Sequence, residues 1–266
     1  MDFKKITEVL VTAKAVQYVM IAVLLIGAFF LPRLAVKQET EAARQEATAE
    51  VQQLKDSQQS GGNAQAAKGT IVLDPGHGGD DPGMIGAGGI NEKKLNLIYA
   101  KKLQALLEAE GYRVVLTRET EEGLYDVDAA HKKAQDMQRR VAIIAEEAPL
   151  ITVSIHQNSY QDPAVSGPQV FYYEHSAEGQ KLAKSIQDRM NSELSEARSR
   201  VEKSNSSYYI LKRSQGTTVI VECGFLSNPE EEARLQEEAY QDRVCAAVCK
   251  GILQYLDEDS DESKIS

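Results

Sequence analysis

Five short runs rich in β-branched residues recur between Thr70 and Leu256: "TIVLD", "RVVLT", "LITVSI", "QVFYY" and "TTVIVE". Segments with helical periodicity separate them. Leu95, Ile98, Leu103, Leu106 and Leu107 trace one apolar face from about Glu92 to Glu110, and Gly111 follows as a stop. A second pattern runs from about Val127 through "AQDMQRRVAIIAEEA" to Pro149, and others cover about Ala177–Leu194 and Tyr240–Leu256. The alternation confines this region to an α/β architecture, a single three-layer α/β/α domain with a mostly parallel, twisted sheet. Ligands of such sheets bind beyond the carboxyl ends of the strands. His77, His156 and Glu222 are therefore the first residues to question.

His77 lies in "DPGHGG", a loop whose glycines let the backbone bend. A phosphate cradle is the competing reading. It fails because no Gly-Lys-Ser/Thr follows, and "GAGGIN" has Asn91 where a dinucleotide fingerprint needs its last glycine. The period of two in "LITVSIH" places Ser154 and His156 on one face. Glu222 follows "TTVIV", apolar enough for a buried central strand, and a buried carboxylate needs a partner. Arg118 or Arg140 would supply an ion pair; a metal ion would serve as well. Glu92 opens a helix after the glycine-rich loop, where an acid also suits the helix dipole. Two imidazoles and one carboxylate make the donor set of a catalytic zinc, and a second carboxylate is then free to carry protons in amide or ester hydrolysis. The residues alone leave open which carboxylate does which.

"VLDPGHGG", the Glu of "NEKKLNL", "VSIHQNS" and "VIVECGFLSN" resemble, in order and spacing, the zinc-dependent N-acetylmuramoyl-L-alanine amidases of bacterial cell walls, the amidase_3 type. The resemblance covers about Thr70 to Leu256. It implies zinc bound at His77, Glu92 and His156, a catalytic carboxylate at Glu222, and hydrolysis of the amide between the lactyl group of muramic acid and L-alanine in peptidoglycan. It also suggests Asn158, Tyr208 and Tyr209 as substrate contacts. "ETEEGLYD", "KKAQDMQRR", "SGPQVFYY" and "SNSSYYILK" are similar to the sporulation branch, the CwlD-like amidases that prepare spore-cortex peptidoglycan for muramic-δ-lactam formation. Gln157 and Thr218 depart from the wider family, which often has alanine and proline there; Gln157 could alter how substrate is held.

The rest of the chain divides by composition. Within residues 1–36, "AVQYVMIAVLLIGAFFL" (Ala15–Leu31) carries no charge and has the length of a bilayer span, roughly 17–25 residues. No clean small-x-small cleavage site follows before Pro32, which favours a retained anchor over a cleaved signal. Residues 37–69 read as a polar helix passing into a flexible linker, 70–256 as the catalytic domain, and 257–266 as a disordered acidic tail. An anchored enzyme of this branch would work outside the cytoplasm, in the forespore envelope; with the segment cleaved it would be secreted. Net charge −10, without clustered Lys and Arg, argues against nucleic acid as a partner. Whether an accessory envelope protein is needed is not encoded legibly.

Two other functions remain in competition at this stage. Cys223 adjoins Glu222, so a cysteine hydrolase with His156 as base must be weighed; strand alternation turns Cys223 away from any pocket that Glu222 faces. A catalytically silent peptidoglycan-binding or activator protein would be expected to have lost a ligand or the carboxylate, and none is lost. Cys245 and Cys249 read as small core residues, and His131 and His175 as solvated.

Overall fold

The computed structural model describes residues 67–265; the apolar segment Ala15–Leu31 and nearly all of the linker lie outside the described residues. Among the described residues no helix is long and apolar enough to cross a membrane. The strands are β1 (Thr70–Pro75), β2 (Arg113–Leu116), β3 (Ile151–Asn158), β4 (Gln169–Tyr173), β5 (Lys203–Asn205) and β6 (Thr217–Phe225). They form one sheet in the order β2-β1-β3-β6-β4-β5. β2, β1, β3 and β6 are parallel, as expected, whereas β4 runs antiparallel to β6 and carries β5 parallel beside it. Residues 159–168 contain no helix, so the link from β3 to β4 lacks the crossover that a parallel return requires.

Among the described residues six helices cover the sheet: α1 (Glu92–Ala109), α2 (Lys132–Glu147), α3 (Ala177–Glu193), α4 (Tyr209–Arg213), α5 (Pro229–Leu235) and α6 (Glu238–Ile265). Strand alternation sorts side chains between the two faces. Ile71, Leu73, Val153, Val219 and Val221 join the larger core beneath α1, α3 and α6, while Val72 and Ile220 join Ile144 of α2 and Ile210 and Leu211 of α4 on the other side. This is the expected three-layer arrangement.

Several boundaries differ from the sequence expectation. α2 starts at Lys132, not Val127, and Val127 is exposed. Gln135 and Asp136 of α2 accept hydrogen bonds from the Asp126 and Leu124 backbone N–H groups, which holds the preceding segment as a turn. Leu106 sits at the rim of its apolar face, partly in water. The tail from Asp257 is not disordered: α6 continues to Ile265. Its first half packs on α1 and α3 and supplies the nucleus, after which each added residue costs little, and neither Gly nor Pro interrupts the acidic turns. Gln254 also donates to Glu258 one turn on.

Candidate metal centre and active site

β1 and β3 are neighbours at the point where the connections diverge. From β1 the chain crosses through α1 to β2 on one side, then returns through α2, on the opposite face, to β3 on the other. Open parallel sheets have their crevice at such a switch point. His77 follows the end of β1 and His156 lies near the end of β3, so the topology delivers both imidazoles to one crevice. Their ring centroids are 5.0 Å apart.

Glu92, the first residue of α1, stands between the rings. His156 Nδ1 is 2.9 Å from Glu92 Oε1, and His77 Nε2 is 3.2 Å from Glu92 Oε2. The carboxylate also accepts hydrogen bonds from the backbone N–H groups of Met84 (2.8 Å) and Gln157 (3.1 Å) and from Asn96 Nδ2 (3.2 Å). Burial alone would raise the Glu92 carboxyl, but the hydrogen bonds and charge of His156 and His77 hold it well below the usual carboxylate range. Gly83, in the left-handed region at φ +68°, makes room for the cluster: a Cβ there would lie 2.5 Å from Glu92 Oε2 and 2.7 Å from His77 Cδ2.

These residues fit a zinc ion by chemistry and by spacing. One donor atom from each of His77, Glu92 and His156 lies within 4.8 Å of the other two. Tetrahedral ligands at the usual zinc distances stand roughly 3.4 Å from one another, close to the contacts found here. Asp81, which the sequence reasoning passed over, lies 3.1 Å from His77 Nδ1. It fixes that ring so that Nε2 turns to Glu92. The only sequence signal was its position four residues beyond His77.

Glu222 is in register with His156 across the β3/β6 pair, and the register shifts immediately beyond them. Parallel partners project to the same face, so the carboxylate shares the cavity with the imidazoles. It is 7% exposed, and its Oε2 has no hydrogen-bond partner. Burial pushes the Glu222 carboxyl up to about 7; His156 opposes the rise and Glu92 adds to it. Neither Arg118 nor Arg140 pairs with it: Arg140 pairs with Asp74 and Asp136, and Arg118 donates to backbone carbonyls. The ion-pair alternative is therefore not realised with either arginine.

The cavity, about 760 Å³, is lined by His77, Glu92, His156 and Glu222 and also by Asn158, Tyr208 and Tyr209. The Tyr208 ring stands edge-on to Phe171 at 5.6 Å. Sequence resemblance thus brought seven residues to one cavity. Gln157 also borders the cavity, but its side chain is engaged on the other face of β3, where it reaches Asn96 and Cys223. Cys223 is 1% exposed in the larger core, and burial pushes its thiol well above the usual range. A buried thiol on the wrong face cannot be the nucleophile. Cys245 and Cys249 are free and buried, and His131 and His175 are exposed.

The N-acetylmuramoyl-L-alanine amidase family profile, amidase_3, matches residues 71–254. The germination-specific N-acetylmuramoyl-L-alanine amidase of Bacillus subtilis is 37% identical over 194 residues, which cover 72% of this chain and 81% of that protein. The CwlD amidase of Clostridioides difficile, solved in complex with the GerS lipoprotein, superposes with TM-score 0.69 at 34% identity, covering 71% of this chain and 98% of that one. AmiC2, an N-acetylmuramoyl-L-alanine amidase of Nostoc punctiforme, gives TM-score 0.62 at 33% identity, covering 71% and 97%.

Proposed function

The chain belongs to the N-acetylmuramoyl-L-alanine amidase family, and from that premise we propose that it binds one zinc ion at His77, Glu92 and His156 and uses Glu222 as its proton carrier. The bond cut is the amide between the lactyl group of muramic acid and L-alanine. Zinc, when bound, supplies a Lewis acid that acidifies a water and polarises the amide carbonyl. The chain's own residues do the rest. Glu222 accepts a proton from the attacking water and returns it to the departing L-alanine nitrogen, a task suited to a carboxyl whose pKa lies near the working pH. Asn158, Tyr208 and Tyr209 line the route by which substrate reaches these groups and hold it there.

The observation that carries this reading is the buried, unpartnered Oε2 of Glu222, facing the same cavity as the three ligands. Its test compares full-length parent with Glu222→Gln on purified peptidoglycan. The variant should retain zinc and release L-alanine amino termini about 10²–10⁴-fold more slowly. Release at the parental rate contradicts the mechanism.

The biological setting proposed is spore-cortex maturation, leading to muramic-δ-lactam. The germination-specific relative and the CwlD-like sequence stretches support it. The uncharged run Ala15–Leu31 supports a membrane anchor, with the catalytic domain outside the cytoplasm in the forespore envelope. The lipoprotein seen with the Clostridioides difficile enzyme suggests that an envelope protein accompanies this one too.

A further inference from the structure

The carbonyls of Pro75, Gly76 and His77 follow one another where β1 ends, and His77 itself is in the left-handed region at φ +60°. A residue other than glycine holds that conformation only where its surroundings enforce it. Two buried guanidinium groups do so. Arg118 donates from Nε to Pro75 O (2.9 Å) and from Nη2 to Gly76 O (2.8 Å). Arg140 donates from Nη1 to Pro75 O (2.7 Å) and from Nη2 to His77 O. Every carbonyl from Pro75 to His77 therefore ends on an arginine.

The same forks join the elements that carry the other ligands. Arg118 Nη2 also reaches Lys93 O (2.8 Å), in the first turn of α1 beside Glu92. Gly76 N–H donates to Ile155 O (2.9 Å), next to His156 on β3. One guanidinium thus spans the His77 loop and the Glu92 helix, and the loop it grips is bonded to the His156 strand. The charges balance locally. Asp74 lies 2.6 Å from Arg140 Nη1 and Asp136 lies 2.6 Å from Arg140 Nε, so both carboxylates pair with Arg140, and their charge also offsets that of the nearby Arg118 through space, with little solvent among the four groups.

We infer that Arg118 and Arg140 are positioning residues that set the separation of His77, Glu92 and His156, and so the zinc affinity of the site, through main-chain carbonyls; Arg140 borders the cavity, but its donors are engaged by Asp136, Asp74, Pro75 O and His77 O. The inference rests on the zinc reading above. A planar fork with five fixed donors can hold two or three carbonyls at defined angles; an ammonium of the same charge cannot. Arginine is thus required here for its shape as well as its charge. The amidase reaction itself does not call for either group.

The experiment uses full-length parent, Arg118→Met and Arg118→Lys, purified in mild detergent and stripped of metal. Three quantities are read: the thermal melt without metal, the zinc dissociation constant by competition with a chromophoric chelator, and the visible spectrum with cobalt(II) in place of zinc. Arg118→Met is expected to melt cooperatively, bind zinc about 10–100-fold more weakly than the parent, and give an altered cobalt spectrum. Arg118→Lys is expected to recover the melt but not the affinity or the spectrum. Parental zinc affinity and cobalt spectrum in a folded Arg118→Met overturn the inference, whatever stability was lost. Should that variant fail to fold, Arg118→Lys decides by the same two readings. A parent that binds no zinc refutes the metal site itself; a parent that binds it, with variants equal to it, refutes only this inference.

Discussion

Asp81 shows how far a single side chain can steer a ligand that it only orients. Its carboxylate 3.1 Å from His77 Nδ1 selects the tautomer that leaves Nε2 free for the ion. Asp81→Asn is expected to weaken zinc binding about 10–100-fold with little change in secondary structure, measured by chelator competition and circular dichroism. Unchanged affinity would mean that the ring is oriented by packing alone. The ligands themselves were legible because each sits at a strand end or helix start. Asp81 was not, since an acid four residues on in a glycine-rich loop has no periodicity to read. Arg118 and Arg140 were visible as residues but not as braces, because the bonds that hold the His77 loop go to main-chain carbonyls, which the sequence does not spell.

At the scale of elements, the strands of the parallel block and the four longer helices were readable from periodicity, and the short pieces were not. β5, "KSN", has no apolar or β-branched residue, and pairing of its backbone with β4 makes it a strand. α5 also went unread, although a start signal stands in the sequence: Asn228, whose side chain accepts from the Glu230 and Glu231 N–H groups, followed by Pro229 at the first helical position. The antiparallel direction of β4 was hidden because alternation alone does not give strand direction. The crossing of α6 over α3 offers a test of packing. A Cβ on Gly251 would lie 2.5 Å from Ile186 Cα and 3.0 Å from Ser185 O. Gly251→Ala should therefore destabilise the domain by about 1–3 kcal/mol in urea unfolding, since these backbones must separate to admit a methyl group. A stabilised variant, as alanine gives in an uncrowded helix, would show that the two helices separate freely.

For the whole molecule, acid stability should follow the buried network under the site. Burial opposes ionisation of Asp74, but Arg140, Ser154 and Thr117 outweigh it and hold its carboxyl below the usual range. A carboxyl depressed in the folded state contributes stability that is complete above the unfolded pKa, about 3.9, and is lost as pH falls through the folded value. Zinc-free parent should therefore lose stability steeply below about pH 4, and Asp74→Asn should flatten that limb although it is less stable at neutral pH. Identical acid limbs in the two would assign the loss to other carboxyls. Whether one metal ion joins strands β1 and β3 to helix α1 can be read from anomalous diffraction of crystals grown with zinc. A single zinc peak is expected about 2.0–2.2 Å from a nitrogen of His77, a nitrogen of His156 and an oxygen of Glu92, with Glu222 outside the coordination sphere. A peak ligated elsewhere, or no peak among these three side chains, would contradict this metal site.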